Sequence, residues 1–294
     1  MTIPKRVGVL AHPKRDNTRS VAHRIAQSLK HHEIDSWVRT TWREDDVSKA
    51  VESSDMVVAI GGDGAMLHTA RVCAPYDVPV LGVNMGRLGF LTEIAHPDEW
   101  ESHLSDLLNG AFWVENRMML TADIRRQRET IHSGNALNDV VISGAQFGSM
   151  IQADTYIDSH WATTYNSDAL IISTPTGSTA YALAAGGPIL PPDLTNILIV
   201  PTAAHLSVDR PIVLSEGSTV AVRLNADNRH ETLITLDGTP LAKLASDDIL
   251  VVRACDYHSR FIRLRERNYF YRSLLDRLEP RVNRTPPQRR LQDI

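Results

Sequence analysis

Gly61-Gly62-Asp63-Gly64 stands directly after the apolar run Met56–Ile60 and just before a helical pattern over Met66–Cys73. Three glycines let backbone N–H groups approach phosphate oxygens, and a helix start behind them adds positive dipole. A carboxylate in such a cradle repels phosphate unless it handles a hydroxyl proton or works beside Mg2+. The same four residues would equally make a tight strand-to-helix turn with Asp63 as its N-cap. Two further segments carry usable chemistry. Thr174-Pro175-Thr176-Gly177-Ser178-Thr179-Ala180-Tyr181 joins hydroxyls and small residues, against which a flat ring can lie, to a stacking tyrosine. Ser178 or Thr179 would also serve there as ordinary helix caps. Asn138-Asp139 opens an apolar strand with an amide beside a carboxylate. That pair suits two ribose hydroxyls, and strand-entry turns use the same residues. A fourth segment, Gly82–Gly89, offers a second backbone-lined loop but lacks G-x-G-x-x-G spacing, and no Walker-type run occurs.

The elements that must position these residues fall into two rhythms. Up to about residue 115, short apolar runs (Val7–Leu10, Ile34–Arg39, Met56–Ile60, Pro79–Val83) alternate with helical faces such as Val21, Ala22, Ile25, Ala26 and Leu29. That alternation predicts a parallel α/β sheet covered on both sides. After Trp113–Asn116 come short strand candidates: Met118–Ile124, Asp139–Ser143, Ile151–Ile157, Ala169–Ser173, Asn196–Val200, Thr219–Leu224, Thr232–Leu236 and Ile249–Val252. Only one helix, Ser178–Ala185, interrupts them, which predicts a β-rich, sandwich-like domain. The expected division is therefore 1–115 α/β, 116–265 β-rich, 266–280 a helix packing back on the body, and 281–294 a solvated, disordered tail.

Composition narrows the function classes. With 294 residues, 43% hydrophobic, the chain can bury a full core, and a net charge of −4 argues against a bulk nucleic-acid binder. Two cysteines, Cys73 and Cys255, exclude a disulfide scaffold or a cysteine-based zinc site. No apolar run approaches the ~20 residues of a spanning helix, and the start lacks a signal-peptide pattern. A cytoplasmic protein with neither membrane nor nucleic-acid partner is expected.

Taken together, Gly61–Gly64, Gly82–Leu91, Asn138-Asp139 and Thr174–Tyr181, in this order, resemble the NAD kinases of the bacterial and archaeal type from about Val7 to Leu278. The resemblance implies transfer of phosphate from ATP, or from polyphosphate, to the 2′-hydroxyl on the adenosine side of NAD, giving NADP. It implies Mg2+ or another divalent cation carried largely by ATP, and a homodimer or homotetramer whose subunits complete one another's sites. By motif match Asp63 would accept the proton and Gly64 would lie against the dinucleotide, with His68 near a phosphate. Asn138 and Asp139 would hold ribose hydroxyls, Asp168 would approach the nicotinamide end, and Thr179, Ala180, Tyr181, Ala182, Leu183 and Ala184 would surround the substrate's rings. Asn166 stands where many members carry a basic residue that contacts substrate, and Ala65 replaces the commoner Thr after the glycine loop. A lipid kinase of the diacylglycerol or sphingosine type shares the GGDG loop and is the alternative. A nucleotide-sensing module would keep the cradle without needing Asp63.

Overall fold

The computed structural model describes residues 4–13, 15–86, 89–146, 148–225, 228 and 230–278. Its first sheet has the strand order Asp35–Arg39, Arg6–Ala11, Met56–Ile60, Val80–Val83, Ser259–Arg263, Trp113–Arg117. The first five pair in parallel and the last is antiparallel. Alternation along the central strands divides two cores. Val7, Val9, Met56, Val58 and Ile60 point to one face, beneath Val21, Ile25 and Leu29 of the helix Asp16–His31 and Trp100, Leu104 and Leu107 of the helix Trp100–Leu108. Leu10, Val57 and Ala59 point to the other, beneath Val47 and Val51 of the helix Glu44–Glu52 and Met66 and Ala70 of the helix Asp63–Cys73. With apolar side chains burying both faces, the strands read as continuous hydrophobic runs, as a covered parallel sheet requires.

The connections after Arg6–Ala11 and Met56–Ile60 leave toward opposite faces and opposite edges of this sheet. Between those two neighbours lies the topological switch point, the crevice where open α/β sheets take ligands. The glycine loop opens onto it.

Two antiparallel six-stranded sheets follow. One runs His160–Ser167, Ile151–Ile157, Val220–Leu224, Asp248–Ala254, Leu120–Arg126, Glu129–Ala136. The other runs Ile212–Ser215, Asn196–Thr202, Ala169–Ser173, Asp139–Gly144, Thr232–Leu236, Thr239–Leu244. Leu120, Ala122 and Ile124 of the first pack with Val140, Ile142, Leu170 and Ile172 of the second in one shared core, a sandwich. The second sheet is buried on its outer face too, where Val141, Ile171, Leu198 and Val200 meet Ala182.

Sheet membership departs from the expected division at 115/116 and 265. Ser259–Arg263, assigned by its position to the β-rich part, inserts between Val80–Val83 and Trp113–Arg117 in the first sheet. Val80–Val83 is buried along its whole length; its outer edge is bonded by residues 93–94 at Gly82 and Asn84, and the late strand joins it at Val80 through Phe261. The predicted helix over Ser178–Ala185 is also broken, into a 3-10 turn Gly177–Thr179 and a short helix Tyr181–Ala184. From Arg265 onward the described residues belong to a unit of their own, containing the helix Tyr269–Leu278, in which the Arg265 guanidinium lies 4.7 Å from the Tyr269 ring centre. The expected tail at 281–294 lies outside the described residues.

Candidate functional site

Asp63 is not an N-cap. The helix begins at Asp63 itself, with extended Gly62 as the capping residue. The carboxylate instead reaches the second glycine loop: Oδ2 accepts from the Phe90 amide at 2.8 Å and Oδ1 from the Leu91 amide at 3.0 Å. The end of that loop therefore presents its N–H groups to an aspartate rather than to a phosphate. Gly89 permits the approach, since a Cβ there would fall 1.9 Å from Asp63 Oδ1. Beside this clamp, Gly62 and Gly64 face open space: a Cβ on either would meet nothing within 4 Å. The amides of Asp63 and Gly64, in the helix's first turn, have no intrahelical acceptor and remain available to an anion.

His68, one turn and a half further on, is buried, and its Nε2 has no hydrogen-bond partner. Burial, reinforced by nearby Arg71, lowers its pKa to about 4, so the imidazole is neutral. The Trp42 ring stacks on it at 5.0 Å, and His12 meets Trp42 edge-on at 4.4 Å. His12 follows the strand Arg6–Ala11, which brings this aromatic group to the switch-point crevice.

A cavity of about 360 Å³ is lined by Asn138, Asp139, Ala180 and Tyr181, together with Leu67 and Asp237. Leu67 stands four residues after Asp63, on the same face of their helix, so that helix reaches both the clamp and the cavity. The Thr174–Tyr181 turn is fastened directly to the start of the Asp139 strand. The Thr174 amide donates to the Asn138 carbonyl at 2.9 Å, and Thr174 Oγ1 donates to the Leu137 carbonyl. Gly177 lies so close that a Cβ would sit 2.1 Å from the Asn138 carbonyl oxygen. Tyr181 is 47% exposed, leaving its ring available, whereas Ala182 turns into the core beneath the sheet.

Not every expected residue converges here. Thr179 bonds back to the Thr176 carbonyl at 3.2 Å, and neither it nor Leu183 nor Ala184 lines the cavity. Asn166 and Asp168 also lie outside the lining, on and just after the strand His160–Ser167. The Asn166 backbone pairs with His205 and Ser207, and its side-chain Oδ1 is buried without a partner.

One acid was overlooked. Asp237, legible only as the first half of an Asp-Gly turn, accepts three consecutive amides: Leu137 at 2.9 Å, Asn138 at 2.7 Å and Asp139 at 3.1 Å. Asp237 and Gly238 both have positive φ, 48° and 75°, as a two-residue hairpin requires. Burial, then the adjacent Asp237 charge, raises the Asp139 carboxyl to about 7. Asp237 is itself raised by burial, against the pull of its three amides and of Arg71.

Known proteins match this arrangement along its length. A profile of the ATP-NAD kinase N-terminal domain covers residues 6–112, and one of the ATP-NAD kinase C-terminal domain covers residues 137–264. The NAD kinase of Chloroflexus aurantiacus is 37% identical over 93% of this chain and 98% of its own length. The chain belongs to the NAD kinase family. An NAD kinase of Erwinia tasmaniensis is 42% identical over 74% of each chain. The crystal structure of yeast NADH kinase complexed with NADH shares the fold, with a TM-score of 0.82 at 22% identity over 93% of this chain and 87% of that one. As an NAD kinase the chain phosphorylates NAD to NADP, and nothing in these matches favours a lipid substrate.

Proposed function

We propose that Asp63 orients the 2′-hydroxyl of the adenosine ribose of NAD in line with the γ-phosphate of ATP, or the end of a polyphosphate, and takes its proton as the new bond forms. One observation carries this: both oxygens of Asp63 are fixed by the Phe90 and Leu91 amides beside the open space at Gly62 and Gly64. An ordinary aspartate, with a pKa of about 3.9, is a weak base toward an alcohol at neutral pH. Phosphoryl transfer has a loose transition state in which the nucleophile's proton leaves late, so orientation contributes more than prior deprotonation.

In this reading the amides of Gly64 and its neighbours meet phosphate, and neutral His68 offers Nε2 as a hydrogen-bond partner there. Asn138 and Asp139 hold the ribose hydroxyls, and Ala180 and Tyr181 bear on the rings. Among the described residues no three or more His, Cys, Asp or Glu side chains converge to hold a metal. In this reading a divalent cation enters on the donor's phosphates, as part of the substrate.

We also propose that the enzyme acts as a homodimer or homotetramer in the cytoplasm. Leu206, 90% exposed beside the Asn166 strand, supports a second subunit at that end. The two thiols of Cys73 and Cys255 are unpaired, and burial pushes Cys73 up, as suits a reducing compartment. The deciding experiment is positional. The purified chain, incubated with NAD, Mg2+ and either ATP or polyphosphate, should yield a product whose phosphorus couples by NMR to the adenosine ribose C2′ proton. Phosphate on any other hydroxyl would overturn the assignment. Light scattering of the same sample gives the subunit count, and a monomer at working concentration would remove the oligomer.

A further inference from the structure

Four charged side chains from three separate stretches of the sequence meet in the interior next to the Asp63 clamp and take no part in the chemistry proposed above. Glu93, Glu115, Arg117 and Arg263 are each at most 6% exposed. Arg263 Nη1 donates to the Leu91 carbonyl at 3.1 Å and to Glu93 Oε2 at 3.0 Å, while its Nε donates to Glu115 Oε2 at 2.9 Å. The same Glu115 oxygen accepts from Arg117 Nε at 2.9 Å, and Arg117 Nη1 reaches Thr176 Oγ1 at 3.5 Å. The other Glu93 oxygen takes the Leu264 amide at 2.9 Å. The two guanidiniums lie over the Phe261 ring, 4.8 and 5.2 Å from its centre.

Stability alone gives weak reason for such a cluster, because the desolvation of four charges offsets much of their attraction and apolar packing of similar volume often does as well. What a guanidinium supplies is geometry: a rigid planar fork that engages several acceptors in fixed directions. Here one of those acceptors is the carbonyl of Leu91, the residue whose amide holds Asp63 Oδ1. A small displacement of Leu91 would turn the carboxylate. At the far end of the chain of contacts stands Thr176, in the turn that carries Tyr181.

We infer that Arg263 is a positioning residue for phosphoryl transfer: through Leu91 it fixes the amides that aim Asp63, and through Glu115 and Arg117 it ties that loop to the turn bearing Tyr181. The inference rests on the reading of Asp63 given above. Arg263→Lys keeps the charge and removes the fork. It should lower kcat about tenfold or more and leave KM for NAD within about twofold. Hydrogen exchange in the segment 89–93 should quicken about tenfold, while the strand Met56–Ile60 stays protected. An unchanged kcat, a rise in KM for NAD at constant kcat, or equal loss of protection in Met56–Ile60 would each overturn it. If Arg263→Lys does not fold, Glu93→Gln is read by the same criteria, and failure of both to fold would mark the cluster as structural only. Near-normal turnover in Asp63→Asn would remove the underlying reading, whereas a loosened 89–93 segment with normal turnover in Arg263→Lys would remove this inference alone.

Discussion

Asp63 and Asp139 stand in the two parts of the site, and their surroundings differ in kind. Asp63 begins a helix, is half-buried among glycines, and accepts one bond on each oxygen from a loop of the same domain. Asp139 begins a strand, is buried, and stands beside a second carboxylate that is itself braced by three amides. An acid fixed in direction yet open to a ligand suits a step in which a proton moves. An acid in a desolvated pair suits recognition, because its charge, and so its grip on a hydroxyl, depends on what occupies the cavity. The glycine-loop side should govern turnover and the strand side binding.

The severest challenge to that contrast is Asp63→Asn, which should lower kcat by about 10²- to 10⁴-fold with little change in KM for NAD. Steady-state NADP formation measures both constants, and a near-normal kcat would make Asp63 merely structural. Gly89→Ala comes next. Its Cβ collides with the Asp63 carboxylate and should lower kcat about ten- to a hundredfold while leaving NAD binding, followed by calorimetry, largely intact. On the other side, Tyr181→Ala should raise KM for NAD about tenfold by loss of a stacking face, and raise that for ATP less. Equal effects on the two substrates would count against the division.

The smallest effect is a pH dependence. Because the Asp139 carboxyl is raised to about 7, its protonated form is the one the empty fold favours. Stability of the empty enzyme should therefore fall as pH rises from about 4 toward 7, since there the folded state binds more protons than the unfolded. Affinity for NAD should move the opposite way, improving about three- to tenfold as Asp139 ionises and can accept a ribose hydroxyl. Asp237→Asn removes the neighbouring charge and should carry the transition to lower pH. A KM for NAD that is flat between pH 6 and 8 in the unaltered enzyme would show that Asp139 does not titrate there.

The residues readable from sequence are those whose role is local. Gly61–Gly64 directly follows the strand Met56–Ile60 and Thr174–Tyr181 directly follows the strand Ala169–Ser173, although the Thr174 hydroxyl and amide then reach Leu137 and Asn138. Asp237 escaped notice because its partners lie about a hundred residues earlier, and in its immediate surroundings it is an ordinary hairpin residue. Nothing in the sequence singles out Glu93, Glu115, Arg117 and Arg263: only the folded sheet shows that they neutralise one another. The helix Glu44–Glu52 was hidden by its acidic start and by a stripe reduced to Val47 and Val51. The order of strands and helices disclosed the α/β and sandwich architectures, but that order cannot tell which sheet a strand joins. Ser259–Arg263 was lost on that account.

That strand also constrains how the protein comes into being. Phe261 pairs with Val80, so the sheet that carries the glycine loop cannot close until the polypeptide has been made through the whole sandwich and returned. During synthesis the early strands wait with the Val80 end of that apolar border uncovered, a state open to chaperones and to mispairing alike. Arg263 arrives on the same strand, and a nascent enzyme therefore gains its aimed carboxylate only in one of its last folding events.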